Sequence, residues 1–385
     1  MSLQYDEHRQ YLADASRLDA FARALTAVVR PGDVVVDIGC GTGILGLLAL
    51  RAGAARVYAV ESGGMIDVAR RVAIDNGVAD RIRFISGFSA QVDLPEPVDV
   101  VVSDLMGRLG FEAGVMPAST DAVRRWLKPG GRVIPERVDT WVAPVDAPEL
   151  TAAVDFWRSR PAGFDMSAAR TGAVNTGYPA AVSTGMWLTP PQPVVSFHPA
   201  HPAAGRADAA SGSVVFSVTR PGVVSGVGGW FRATLAHTVE MTNAPDDQRR
   251  IGRRQAFLPI DAPVSVVEGD VVEVHMRARP EEVVLAWEVC VRRNGRELAR
   301  ARQSTLAGML VPAELLRRTS ADSRPQLTRW AHARATVIHL CDGAHTLREI
   351  EHRTKEAHPD LFVDLDAAAV FVAEVVTRYG HAPQD

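Results

Sequence analysis

Residues 11–30 carry apolar side chains at helical spacing (Leu12, Leu18, Phe21, Ala22, Leu25, Val28, Val29), and Pro31-Gly32 closes that segment. The apolar run Val34-Val35-Val36 comes next, of the kind that a strand buried on both faces shows. It leads through Asp37-Ile38-Gly39-Cys40-Gly41-Thr42-Gly43 into an apolar helix over 44–54. The alternation then repeats. Strands are predicted at 56–61, 82–87 and 98–104. Helices are predicted at 65–77, closed by Asn76-Gly77, and at 121–127, closed by Lys128-Pro129-Gly130-Gly131. Strands alternating with helices predict a parallel α/β sheet covered on both faces.

The texture changes near residue 137. Valine-rich alternating stretches (VVSFH, SVVFSVTR, VEVHMRAR, VVLAWEVCV) are separated by Pro, Gly and Asp turns, which predicts an antiparallel, barrel-like or sandwich-like domain. A mixed segment over about 154–190 interrupts it. From about 311 the pattern is helical again. The expected organisation is a Rossmann-like domain over 1–137, a β-barrel domain over 138–310 and a small helical domain over 311–385.

Composition narrows the function classes. The chain has 385 residues and a net charge of −3, so it lacks the basic excess usual in a nucleic-acid binder. No apolar run is long enough to span a membrane, and the N-terminus lacks a signal-peptide pattern. Three widely spaced cysteines (Cys40, Cys290, Cys341) form no metal-binding spacing and point to a reducing, cytoplasmic setting. His198 and His201 lie close together but have no further ligands nearby, so no metal is expected.

A strand, a glycine loop and a helix make a nucleotide-type turn, since glycine lets backbone N–H groups approach a ligand. Three features coincide here: Asp37 ends the first strand, Gly39, Gly41 and Gly43 form the loop, and Glu61 ends the second strand, where an acid can accept both ribose hydroxyls. The spacing is GxGxG rather than the GxGxxG of dinucleotide folds, and no GxxxxGK[ST] run supports phosphoryl transfer. The loop resembles that of methyltransferases that use S-adenosylmethionine and release S-adenosylhomocysteine. By that resemblance Asp37 polarises the methionine amine through water, and Gly39, Cys40 and Gly41 pass beside the methionine portion.

Over roughly residues 8–300 the sequence resembles the protein arginine methyltransferase family. Leu12-Ala13-Asp14-Ala15-Ser16-Arg17 matches that family's D-x-x-R helix, which implies that Arg17 pairs with the cofactor carboxylate. Ser103-Asp104-Leu105-Met106-Gly107 with Phe111-Glu112 looks like its two-acid loop, making Asp104 and Glu112 the expected catalytic pair and Met106 an expected substrate contact. Two carboxylates can bind, orient and deprotonate a nitrogen nucleophile. Gly163-Phe164-Asp165-Met166-Ser167 resembles the start of the arm through which the family dimerises, and Gly229-Trp230-Phe231 is a weaker match. Trp157 and Trp230 read as packing residues of arm and barrel.

Several positions depart from the pattern. Asp104 replaces a glutamate, and the acids are eight apart rather than nine. Ile251-Gly252-Arg253 stands where the family has Thr-His-Trp. The aromatic N-terminal cover is reduced to Tyr5 and Tyr11. Ala90 replaces a glutamate that holds the adenine, with Ser89 beside it to offer backbone N–H.

Residues 337–350, VIHLCDGAHTLREI, predict a helix, a D-G turn and a Thr-capped helix with Glu349 at capping-box spacing. They resemble the winged-helix domains of the pyrroloquinoline-quinone D type, which bind leader peptides of ribosomally made natural products. That combination resembles the tailoring enzymes of daptide-type peptides. It implies N-methylation of an amine, at the C-terminal end of a precursor peptide, by a homodimeric enzyme. The alternatives are a protein or peptide arginine N-methyltransferase and a small-molecule N- or O-methyltransferase.

Overall fold

Four of the five residues of β1 (Val34–Ile38) are buried, including Asp37, which follows from its central place in a parallel sheet. The structure is a computed structural model that describes residues 4–200, 210–279 and 284–380. With β2 (Arg56–Glu61), β3 (Ile82–Ser86), β4 (Val98–Ser103) and β5 (Leu127–Ile134), β1 forms a five-stranded parallel sheet of order β3-β2-β1-β4-β5. Strand order reverses between β1 and β4. The crevice outside their C-terminal ends is where doubly wound folds bind ligands.

Five helices accompany the sheet: α1 (Gln4–Ala13), α2 (Ala15–Val28), α3 (Ile44–Ala52), α4 (Met65–Asp75) and α5 (Val115–Arg125). The helix predicted over 11–30 is therefore two helices. Asp14 leaves the helical region (φ −81°, ψ 92°) and its carboxylate accepts the Arg17 N–H at 3.1 Å. A short acid at an N-cap satisfies an N–H that a continuous helix would leave to a backbone carbonyl. The helix expected at 121–127 begins earlier, at Val115, and Lys128–Gly131 falls inside β5 rather than in a closing turn. The register jumps there, from Val98↔Leu127 to Val100↔Arg132, so Pro129-Gly130-Gly131 is taken up as a bulge.

Beyond β5 the chain is antiparallel. The strands are β6 (Arg137–Val145), β7 (Tyr178–Ala180), β8 (Gln192–Phe197), β9 (Ala210–Ser217), β10 (Gly222–Ala236), β11 (Val239–Thr242), β12 (Gln255–Val266), β13 (Val271–Arg279), β14 (Val284–Arg293) and β15 (Arg296–Ser304). They form two sheets: β7-β12-β10-β6-β8 with β11 paired to β10, and β15-β14-β13-β9. No ladder joins the two among the described residues, so the expected barrel is not closed by hydrogen bonds. Their apolar faces share one core, with Phe231, Leu235, Val274 and Trp287 buried. Trp230 is fully buried and stacks on Trp187 with ring centroids 5.4 Å apart, a packing role.

The segment over 154–190 carries the end of α6 (Pro148–Asp155), single turns, α7 (Arg170–Val174) and β7. Its first half exposes Phe156, Trp157 and Phe164, while Ala173, Val174, Ala180 and Leu188 in its second half are buried. A short helix, α8 (Thr305–Gly308), follows β15.

The chain divides into two compact units, Met1–Met309 and Leu310–Asp385. The second contains α9 (Ala313–Arg318), α10 (Arg329–Leu340), α11 (Leu347–Ala357) and α12 (Leu365–Tyr379) around its own core of Val337, Ile350, Phe371, Val372 and neighbours. The capping box forms as its spacing predicts: Thr346 accepts the Glu349 N–H and Glu349 accepts the Thr346 N–H. No strand occurs in this unit among the described residues. The described residues of this unit therefore hold no wing, while Asp342–His345 forms the turn between two helices that Asp342-Gly343 predicts, the Asp342 carboxylate accepting the Ala344 and His345 N–H groups.

Candidate functional site

A cavity of about 2260 Å³ opens at the C-terminal ends of β1, β2 and β4. That is more room than a single drug-sized ligand needs, so it can admit a cofactor and an acceptor together. Gly39, Cys40, Gly41, Glu61, Ser89, Asp104, Glu112 and Arg17 all line it, as do α1 residues including His8 and Tyr11.

Asp37, within β1, is fully buried and does not itself line the cavity. Its Oδ2 accepts the Gly46 N–H at 3.0 Å, while Oδ1 is buried with no partner. Burial pushes its carboxyl up to about 7, against the Gly46 hydrogen bond and the Arg17 charge, which lower it. Glu61 receives two backbone N–H groups, from Gly41 at 3.0 Å and Gly63 at 2.7 Å. Gly41 has φ +52°, which favours glycine, and a Cβ there would stand 2.5 Å from the His8 ring as it lies against the loop. Cys40 is buried, and burial raises its thiol well above the usual range, which makes it a spacer and not a nucleophile.

Asp104 stands just past β4. Its Oδ2 takes the Arg17 Nε at 2.5 Å and lies 3.4 Å from Arg253 Nη2, while Oδ1 is buried without a partner. All three side chains are largely buried. The sequence pairs Arg17 with a cofactor carboxylate; in this structure it pairs with Asp104. Glu112 turns back on its own loop and accepts the N–H groups of Arg108 and Leu109, the latter at 2.9 Å. A Cβ on Gly107 (φ +71°) would overlap that carboxylate. Both acids thus share the cavity, but their carboxylates face different partners. Met106 does not line the cavity. It is fully buried in the main core, past the end of β4.

The antiparallel domain holds the acidic loop from the other side. Gly107 O accepts from Arg253, Arg108 O from Asn243, and Leu109 O from Thr140 at 2.7 Å. Asp14 Oδ2 accepts the Gly252 N–H at 2.7 Å, tying the start of α2 to the Arg253 loop. Arg253, Asn243 and Thr140 were not singled out as site residues by sequence reasoning. Only the departure at 251–253 pointed toward them. Ser89 lies in a single turn whose carbonyl is bonded by Arg125. Among the described residues no group of three or more His, Cys, Asp or Glu could hold a metal, and no helix is long and apolar enough to cross a membrane. His201 lies outside the described residues.

Residues 35–131 match the family described as "Methyltransferase domain". A probable protein arginine N-methyltransferase 6 from Arabidopsis thaliana is 36% identical over 164 residues, covering 42% of this chain and 38% of the relative. Protein arginine N-methyltransferase PRMT10 from Oryza sativa subsp. japonica is 40% identical over 139 residues, covering 36% of this chain and 37% of the relative. The chain spans less than half the length of these curated relatives. Among solved structures, Arabidopsis thaliana protein arginine methyltransferase 10 superposes with a TM-score of 0.66 at 23% identity, covering 77% of this chain and 97% of that one. A Trypanosoma brucei PRMT1 enzyme-prozyme heterotetrameric complex with AdoHcy gives 0.69 at 21% identity, covering 79% and 99%. The fold is thus a Rossmann-like methyltransferase domain joined to an antiparallel domain, as in those structures.

Proposed function

We propose that this chain is an S-adenosylmethionine-dependent N-methyltransferase of the protein arginine methyltransferase type. The observation that carries the reading is the convergence, in one cavity, of a glycine loop, the strand-end acid Glu61 and two acids beyond β4, Asp104 and Glu112. The buried Asp37 Oδ1 has no partner, and a cationic ligand group would satisfy it through water, since a buried acceptor without a donor is otherwise costly. Glu61 would receive the ribose hydroxyls and Arg17 the cofactor carboxylate. Gly39, Cys40 and Gly41 would flank the methionine portion, with Ser89 beside the adenine. When bound, the cofactor supplies an electrophilic methyl group on a sulfonium.

Asp104 then orients the acceptor. Its Oδ1 can accept a hydrogen bond from an acceptor N–H, aiming the nitrogen lone pair into the cavity. A guanidinium arrives already cationic, so the carboxylate balances its charge and stands as the acceptor for the proton that the nitrogen releases on taking the methyl group. Glu112 holds the loop closed through the Arg108 and Leu109 N–H groups and adds its negative charge to the same cavity. The printed names of the relatives favour arginine as acceptor.

A second reading, an amine on a ribosomally made precursor peptide, draws on two features. Arg253 stands against Asp104 within the 251–253 stretch that departs from the family's Thr-His-Trp, and Leu310–Asp385 has a core of its own that could serve a leader peptide. A homodimer formed through the exposed aromatics of 156–164 belongs to either reading. Calorimetry with S-adenosylhomocysteine, followed by mass spectrometry of arginine and alkylamine peptides, tests both. Binding with methyl gain on arginine supports the first reading, gain on the amine alone supports the second, and no binding removes both.

A further inference from the structure

Asp104 Oδ2 is shared by two guanidinium groups of the protein itself. Arg17 approaches through Nε at 2.5 Å and Arg253 through Nη2 at 3.4 Å. Arg253 is held from three other directions. Its Nη1 donates to Gly107 O at 2.9 Å, and its guanidinium lies 5.6 Å from the Tyr11 ring centroid and 5.9 Å from that of Phe231. Its side chain is only 13% exposed. This is a built site for a guanidinium: a carboxylate, a backbone carbonyl and two aromatic rings.

Two guanidinium groups already share the one carboxylate at which a cationic acceptor would have to arrive. Glu112 lines the same cavity and keeps its negative charge, but its oxygens face the Arg108 and Leu109 N–H groups. If Arg17 moves to a cofactor carboxylate, Arg253 still keeps Asp104 paired.

We propose that Arg253 is a specificity-determining residue, an internal guanidinium that occupies the acceptor end of the cavity and competes there with the guanidinium of a substrate arginine. This inference rests on the reading above for the meaning of "acceptor", but its own claim concerns binding. A substrate arginine that donates to Asp104 Oδ1 brings its fixed positive charge against Arg253 on Oδ2 of the same carboxylate. A neutral amine makes the same hydrogen bond without that repulsion.

The test uses the full chain saturated with S-adenosylhomocysteine and measures, by calorimetry, the binding of an arginine-containing peptide and of the same peptide with norleucine for arginine. Arg253→Gln retains a donor toward Gly107 O and removes the charge; Arg253→Lys retains the charge. Glutamine should tighten arginine-peptide binding about tenfold or more, the worth of one charge-assisted contact. It should leave S-adenosylhomocysteine affinity within about twofold and the norleucine peptide unchanged, and lysine should restore the weak binding. In turnover the gain should appear in KM and not in kcat. Unchanged or weaker arginine-peptide binding by Arg253→Gln overturns the proposal. So does equal tightening by lysine, which would mean that bulk and not charge was removed. If the binding shift occurs but no variant transfers a methyl group, the proposal stands and the enzymatic reading falls.

Discussion

Asp37 shows how burial and chemistry are coupled at a single residue. Its carboxyl is raised to about 7 because the sheet excludes water from it. Between an unfolded value near 3.8 and that folded value, the native state keeps a proton that the unfolded chain has released. This group therefore makes the fold less stable as pH rises from about 4 to about 7, with no further change above. Asp37→Asn should flatten that slope in urea titrations, and an unchanged slope would assign it to other groups. Binding of a cationic amine beside Asp37 favours the ionised carboxyl. S-adenosylhomocysteine should thus bind more tightly as pH rises to about 7 and then level off, and Asp37→Asn should lose the trend. Glu61→Ala removes the acceptor for the ribose and should weaken that binding by about 1.5–3 kcal/mol, since hydrogen bonds to charged groups are worth that much. Unchanged affinity would place the ribose elsewhere.

Elements decide which residues meet. The C-terminal ends of β1, β2 and β4 set the 39–41 glycine loop, Glu61 and Asp104 around one crevice, and this much was legible from strand–loop–helix alternation and the acids at the strand ends. The break between α1 and α2 was not legible from periodicity, because apolar spacing runs through Asp14. Only its capping chemistry ends the helix. The partners of Asp104 were illegible for a different reason. Arg253 is far away in sequence, and no periodicity encodes an ion pair between two domains' loops. Met106 misled because a motif gives order along the chain but not which face a side chain takes. The straps on residues 107–109 carry a prediction of their own. Asn243 is fully buried and joins Phe231 N–H to Arg108 O. Asn243→Ala would leave those groups unpaired, costing about 1–3 kcal/mol in stability and loosening the acidic loop. Denaturant titration and the KM for acceptor check this, and a loss confined to stability would mean that the strap does not position the loop.

At the scale of the molecule, two units with separate cores account for the change of texture near residue 311. The first unit has its core in residues 20–301 and the second in 333–376. A chain ending at Met309 should therefore stay folded and keep S-adenosylhomocysteine affinity, as read by calorimetry. Loss of folding would show that the second unit completes the first. If the second unit captures a leader peptide, its removal should raise KM for a peptide carrying the leader and leave a leaderless peptide unaffected.

The central claim is methyl transfer to nitrogen in the Asp104 cavity. It is tested most directly by tandem mass spectrometry of an arginine-containing peptide incubated with the full chain and S-adenosylmethionine, beside the Asp104→Asn variant. The account predicts a mass gain of one or two methyl groups localised to the guanidinium, with Asp104→Asn binding S-adenosylhomocysteine normally and producing none. A gain that survives Asp104→Asn, or S-adenosylhomocysteine binding with no methyl gain on arginine or alkylamine peptides, would contradict it.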